Sequence, residues 1–141
     1  MNACLERTKD TQKIIWDRAK EIRDMAKEKF KDKVFIHPHF KRDVVMSSGN
    51  IKEFLNQPHI HIREKNELLL RIDEVFEKST YLGGGKPINK HKEDLAVHLF
   101  EIKIKKDESW IIVRECSDGS VRIYSITDNQ EILKALKEKK D

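Results

Sequence analysis

The sequence predicts an α+β fold, with N-terminal helices followed by a three- to four-stranded antiparallel sheet, a meander, and a C-terminal helix. Three observations carry this. Ile15, Ala19, Ile22, Ala26 and Phe30 recur at three- and four-residue spacing, the period of a helix that buries one stripe. Three runs near the end, AVHLFEIKIK (96–105), SWIIVREC (109–116) and VRIYSIT (121–127), are rich in β-branched and aromatic residues and are joined by short connections. Asp118-Gly119, between the last two runs, is a strong hairpin signal, because both residues tolerate the positive φ that a tight turn demands.

The elements follow in order. Residues 5–32 read as one long helix, without Pro or Gly, and with charged residues on its other faces. Val34–Ile36 and Val44–Met46 are short β candidates. His37-Pro38-His39 between them should be extended, since the residue before a proline avoids the helical region. Ser47-Ser48-Gly49-Asn50 can cap a short helix over 51–57, which Pro58 stops. A second helix is expected from His61 to Lys78, with Leu68, Leu69, Ile72, Val75 and Phe76 as its buried stripe. Residues 79–95, with the glycines Gly83–Gly85, read as a flexible loop. It lacks the GK[ST] ending of a phosphate-binding loop, but its Lys86, Lys90 and Lys92 could lie over bound nucleic acid. Residues 128–140 close the chain as a helix that docks through Ile132, Leu133 and Leu136. The organisation expected is a helical extension over 1–33 and an α+β domain over 34–141, in a single globular unit.

Composition limits the function classes. The chain has 141 residues, 38% hydrophobic and 38% charged, enough for one core under a very polar surface. Its net charge of +4 and pI near 9.0 suit a polyanionic partner. No apolar run approaches the ~18 residues of a membrane span, so no membrane partner is expected. No secretory signal is visible, and Cys4 and Cys116 show no CxxC spacing. A cytoplasmic protein with reduced thiols is expected.

Candidate chemistry gathers in two places. With a two-residue Asp118-Gly119 turn, Cys116 would face Val121, Arg114 would face Ile123 and Ile112 would face Ser125, so Arg114 and Ser125 share a sheet face. His98 joins that face if the turn near Lys106 has three residues, and the opposite face if it has two. The second place is the joint Asn56-Gln57-Pro58-His59-Ile60-His61, with Lys52 and Lys65 nearby. Histidine can take a proton from a ribose 2′-hydroxyl or give one to a leaving oxygen, and Lys or Arg can support the charge on phosphorus. The His-x-His pairs at 37/39 and 59/61 could also ligate a metal. No third and fourth ligands stand at recognisable spacing, so neither metal nor other cofactor is expected.

The run VVMSSGNIKEFLNQPHIHIREKNELLLRIDEVFEKSTYLGG, followed by VHLFEIKI, SWIIVRE and VRIYSITD, resembles the phage- and mobile-element-associated domains of the barnase–EndoU–colicin–RelE-like (BECR) nuclease superfamily. The resemblance covers roughly residues 44–128. It implies helices followed by an antiparallel sheet, and a metal-independent RNA endonuclease, a toxin or phage effector, that cleaves by 2′-hydroxyl transesterification. Catalytic positions carried over are Lys52, His59, His61 and Lys65 from the helical part and Arg114, Tyr124 and Ser125 from the strands. The expected partners are RNA, with tRNA one candidate, and a cognate inhibitor protein if the domain is a toxin. The alternative is a non-catalytic binding module of a phage or mobile-element protein. The active site expected on this basis lies between the histidine joint and the Arg114–Ser125 face, with His37 and His39 outside it.

Overall fold

The computed structural model describes residues 9–86 and 94–139, with side chains from 11 to 86 and 95 to 136. It is an α+β structure. Helix α1 (Lys9–Lys29) leads into a hairpin of β1 (Phe35–His37) and β2 (Phe40–Val44). Helix α2 (Ser48–Asn56), helix α3 (Ile62–Leu68), a 3-10 turn (Leu69–Arg71) and helix α4 (Ile72–Lys78) follow. Strands β3 (Thr80–Gly85), β4 (Asp94–Ile104), β5 (Asp107–Cys116) and β6 (Val121–Thr127) form an antiparallel sheet in that order. A 3-10 turn (Gln130–Leu133) and helix α5 (Lys134–Lys139) end the described chain. Among the described residues no helix is long and apolar enough to cross a membrane.

The sheet has two covered faces. Phe100, Ile104, Ile111, Val113, Ile123 and Ile126 point to the helical layer and share one core with Ala19, Ile22 and Ala26 of α1, Phe30 just after it, Phe54 of α2 and Ile72 and Phe76 of α4. The expected stripe from Ala19 to Phe30 is therefore part of the same core as the sheet, while Ile15 at its start is only half-buried. On the other face Val97, Leu99 and Ile112 meet Ile132, Leu133 and Leu136, which dock as expected.

Several local expectations are corrected. His37, before the proline, is extended as expected and ends β1, but Pro38-His39 are not, because they form the turn that lets His37 pair with Phe40. The helix over 61–78 is broken at Leu69–Arg71, where Arg71 leaves helical geometry at φ −136° and ψ 35°. Of the loop expected over 79–95, Thr80–Gly85 instead form the edge strand β3 and Asp94-Leu95 begin β4, while residues 87–93 lie outside the described residues; the composition of β3 hides it because glycine weakens a strand. The glycines there have a packing reason. A Cβ on Gly84 would lie 2.4 Å from His98 Nδ1, and one on Gly85 would lie 2.0 Å from the Ala135 carbonyl oxygen.

Strand register decides which side chains meet. Lys105 and Lys106, at φ 50° and 75°, make a two-residue turn, and His98 pairs with Val113. His98 thus lies on the face opposite Arg114. At the next turn the Cys116 N–H bonds the Ser120 carbonyl and Gly119 takes φ 90°, so the loop is one residue longer than expected. Arg114 consequently pairs with Arg122 rather than Ile123. A bulge at Tyr124 then restores the expected pairing of Ile112 with Ser125.

Candidate functional site

The histidine joint is built around main-chain hydrogen bonds. His59 is buried. Its Nδ1 accepts the His61 N–H at 2.8 Å, which leaves Nε2 to donate to Ser109 Oγ at 2.8 Å. Burial holds its pKa below the ordinary histidine value, in keeping with a neutral ring. The other His-x-His pair repeats the device. His37 Nδ1 accepts the His39 N–H at 3.0 Å, and its Nε2 donates to the Ser79 carbonyl at 2.7 Å inside a cage of Phe76, Phe100 and Tyr81. In both pairs the first histidine is a buried clamp on the backbone two residues on.

His61, half-buried, meets Asp107 at 2.5 Å beside the β4–β5 turn. Asp128 accepts the Ile60 N–H at 2.9 Å. Lys65 is fully buried. Its ammonium donates to the carbonyls of Phe54 at 2.5 Å and Gln57 at 2.7 Å, closing the C-terminal end of α2, and lies over the Phe54 ring. Burial pushes its pKa down to about 7.

Arg114 stands elsewhere. Ser109, which His59 touches, and Arg114 are five residues apart on β5, so they face opposite sides of the sheet, with ~17 Å of strand between them. The expected single site joining the histidine joint to Arg114 is therefore not assembled. Ser125 is fully buried, and its hydroxyl donates to the Ile126 carbonyl at 3.3 Å. Lys52 is exposed on α2, and Lys86 is exposed just after β3. Lys90 and Lys92 lie outside the described residues.

Two of the expected residues do come together. The Arg114 guanidinium lies 3.4 Å from the centre of the Tyr124 ring, a stacked cation–π contact. The Tyr124 hydroxyl donates to Glu53 Oε2 at 3.0 Å, and Gln57 Nε2 reaches the same hydroxyl at 3.5 Å. Tyr124 is available for this because it is the extra residue of the β6 bulge. Glu53 and Gln57 are one helical turn apart at the outer edge of α2, which packs along β6. The helix is started by a capping box, in which Ser47 Oγ accepts the Asn50 N–H and Asn50 Oδ1 accepts the Ser47 N–H. All of Arg114, Tyr124, Glu53 and Gln57 are half-buried. Burial, and then the bond to Glu53, raise the Tyr124 pKa, so the phenol keeps its proton at neutral pH. Sequence reasoning missed Glu53, because an acidic residue on a short helix looks like solvated surface, and it placed Gln57 in the histidine joint without linking it to Tyr124.

A second side-chain array sits on the helix-facing side. The Tyr81 hydroxyl contacts His98 Nδ1 at 2.8 Å, His98 Nε2 contacts Glu115 Oε2 at 2.5 Å, and Arg42 reaches Glu115 Oε1 at 3.3 Å. His98 is packed against the Phe40 ring at 4.7 Å and over the bare Cα of Gly84. Both of its ring nitrogens are engaged within the protein. Among the described residues no three His, Cys, Asp or Glu side chains are grouped so as to hold a metal ion.

A family model, large polyvalent protein-associated domain 3, matches residues 15–124. The chain belongs to that family. The match takes in most of α1 and runs into β6, and so begins earlier than the stretch that resembles phage nucleases. Membership of the polyvalent protein-associated family points to a phage or mobile-element association. It carries no nuclease activity with it. Neither the curated proteins nor the solved structures gave a match.

Proposed function

We propose that this domain is a metal-independent RNA endonuclease, a toxin or effector of a phage or mobile element, whose chemistry is carried by Glu53, Tyr124 and Arg114. The observation that supports this is the contact of a carboxylate, a protonated phenol and a guanidinium at one half-open rim between α2 and the β5–β6 edge. Transesterification needs a base, an acid and a cation around one phosphate, and these three groups supply one of each.

The ribose 2′-hydroxyl gives its proton to the Glu53 carboxylate, and its oxygen attacks phosphorus. The contacts of Glu53 among the described residues fall on Oε2, which leaves Oε1 to act as the base. Arg114 offsets the charge that builds on the phosphorane oxygens. Tyr124, held protonated, passes its proton to the departing 5′-oxygen. The products are a 2′,3′-cyclic phosphate and a 5′-hydroxyl. Lys52, next to Glu53, adds positive charge for the approaching backbone.

In this reading His59 and Lys65 act on the protein, because their polar atoms are committed to backbone or buried partners. Purified protein incubated with total RNA in EDTA tests the proposal. Cleavage that leaves cyclic-phosphate ends, and falls by roughly 10²- to 10⁴-fold in Glu53→Gln and Tyr124→Phe, is expected. Intact RNA with folded wild-type protein would instead favour a binding module.

A further inference from the structure

Helix α2 carries a second polar face, one step round from Glu53. Lys52, Leu55 and Asn56 line a shallow groove whose other wall is Trp16, Ala19, Lys20 and Arg23 of α1. Trp16, Lys20 and Arg23 are spaced four and three residues apart, so they form one ridge, with the cations ~6 and ~10 Å along the axis from the indole. Trp16 is 54% exposed, an unusual position for a tryptophan, on a helix whose Ala19, Ile22 and Ala26 are buried. Lys20 and Lys52 are exposed, and Arg23 touches only the neighbouring Asp24 of its own helix among the described contacts. The groove holds about 80 Å³, far below the ~300 Å³ at which small-molecule pockets begin. It is thus too shallow to enclose a small molecule, and a ligand there lies across it.

We infer that this ridge is a binding track for single-stranded RNA, with one base stacked on Trp16 and the flanking phosphates held by Lys20, Arg23 and Lys52. An exposed aromatic ring among cations is what an unpaired strand requires. Stacking takes any base, and the cations follow the backbone. Duplex RNA cannot use the ring, because its bases are already stacked. The inference rests on the proposed function for the class of polymer, and it adds which form is taken and where it lies. Lys52 and Glu53 are consecutive on α2 and point ~100° apart, so a strand on the track reaches the Glu53–Tyr124–Arg114 rim by bending round that helix.

Tryptophan fluorescence reads the track directly. The chain has two tryptophans, and Trp110 is only 1% exposed, so a ligand-dependent change reports Trp16 while Trp110 reports folding. The experiment titrates the full chain carrying Glu53→Gln with a short oligouridylate in EDTA. Quenching is expected, with an affinity that falls as salt rises. The same oligonucleotide in a duplex should quench far less. With dye-labelled RNA followed by anisotropy, Trp16→Ala should weaken binding by about 5- to 100-fold and Trp16→Phe much less. Lys20→Gln with Arg23→Gln should lower the salt slope by about 1.4, because two phosphates are no longer neutralised.

Single-stranded RNA that leaves Trp16 emission unchanged would overturn the inference. So would a Trp16 response to poly-glutamate or to protein concentration in place of RNA, which would put a protein partner in the groove. Cleavage of RNA without a Trp16 response sinks the track and leaves the catalytic reading standing. A Trp16 response to RNA that wild-type protein never cuts does the reverse.

Discussion

The histidine joint and the Glu53–Tyr124–Arg114 rim hold similar inventories of polar groups and use them differently. At the joint, His59 and Lys65 spend their hydrogen bonds on main-chain atoms or a buried serine, and both are removed from solvent. At the rim, side chains bond one another and stay half-open. A group that satisfies the backbone cannot leave it without exposing an unpaired carbonyl or N–H, whereas side-chain pairs can exchange partners with a substrate. The joint should therefore be felt in stability and the rim in chemistry.

The largest stability effects should come from the clamps. His37→Ala removes a ring packed among Phe76, Phe100 and Tyr81 and orphans the Ser79 carbonyl, and a loss of about 3 kcal/mol is expected in chemical denaturation. Lys65→Ala should cost a similar ~3 kcal/mol, since it leaves a cavity and two unpaired carbonyls at the end of α2. His59→Ala should cost about 2 kcal/mol, because the Ser109 hydroxyl and the His61 N–H are left without the ring that bonds them. If these variants melted like wild type, the structural reading of the joint would be wrong.

At the rim the same assay should show little. Tyr124→Phe keeps the ring under Arg114 and removes the half-buried bond to Glu53 and the long contact from Gln57, whose groups stay open to water, so about 1 kcal/mol is expected. A loss several times larger would mean that the hydroxyl is a structural tie.

Lys65 adds a pH dependence whose direction is fixed. Its folded pKa, about 7, lies below the 10.5 of the unfolded chain, so between these values the unfolded state binds more protons. Stability should rise with pH across that window and be flat in this respect below it. Urea titrations at several pH values should show wild type gaining on Lys65→Met from pH 7 upward. A gain in the opposite direction would show that the two carbonyls hold the ammonium charged.

The comparison also explains what is legible in the sequence. The meander is readable because β-branched runs and a turn dipeptide are local signals. The Asp118-Gly119 turn is recognisable but its loop length is not, since Gly119 at φ 90° adds a residue that no dipeptide reveals. The Tyr124 bulge cancels that shift, which is why the pairing of Ile112 with Ser125 can be foreseen and that of Arg114 cannot. Strand β3 is hidden because its glycines answer to His98 and Ala135, neighbours distant in sequence. The histidines draw attention for their chemistry, yet in each His-x-His pair the first ring answers a local backbone need. Glu53 draws none, because its partner Tyr124 lies 71 residues away.

The most direct test sets the two regions side by side in one reaction. Single-turnover cleavage of a short single-stranded RNA in EDTA is measured for wild type, Tyr124→Phe and His61→Ala, each corrected for its folded fraction. His61 is the fairest control, because its contact with Asp107 is partly open to solvent and its loss should leave the fold intact. The rate should fall by roughly 10²- to 10⁴-fold in Tyr124→Phe and stay close to wild type in His61→Ala. A collapse in His61→Ala with Tyr124→Phe unaffected would return the chemistry to the histidine joint and contradict the account.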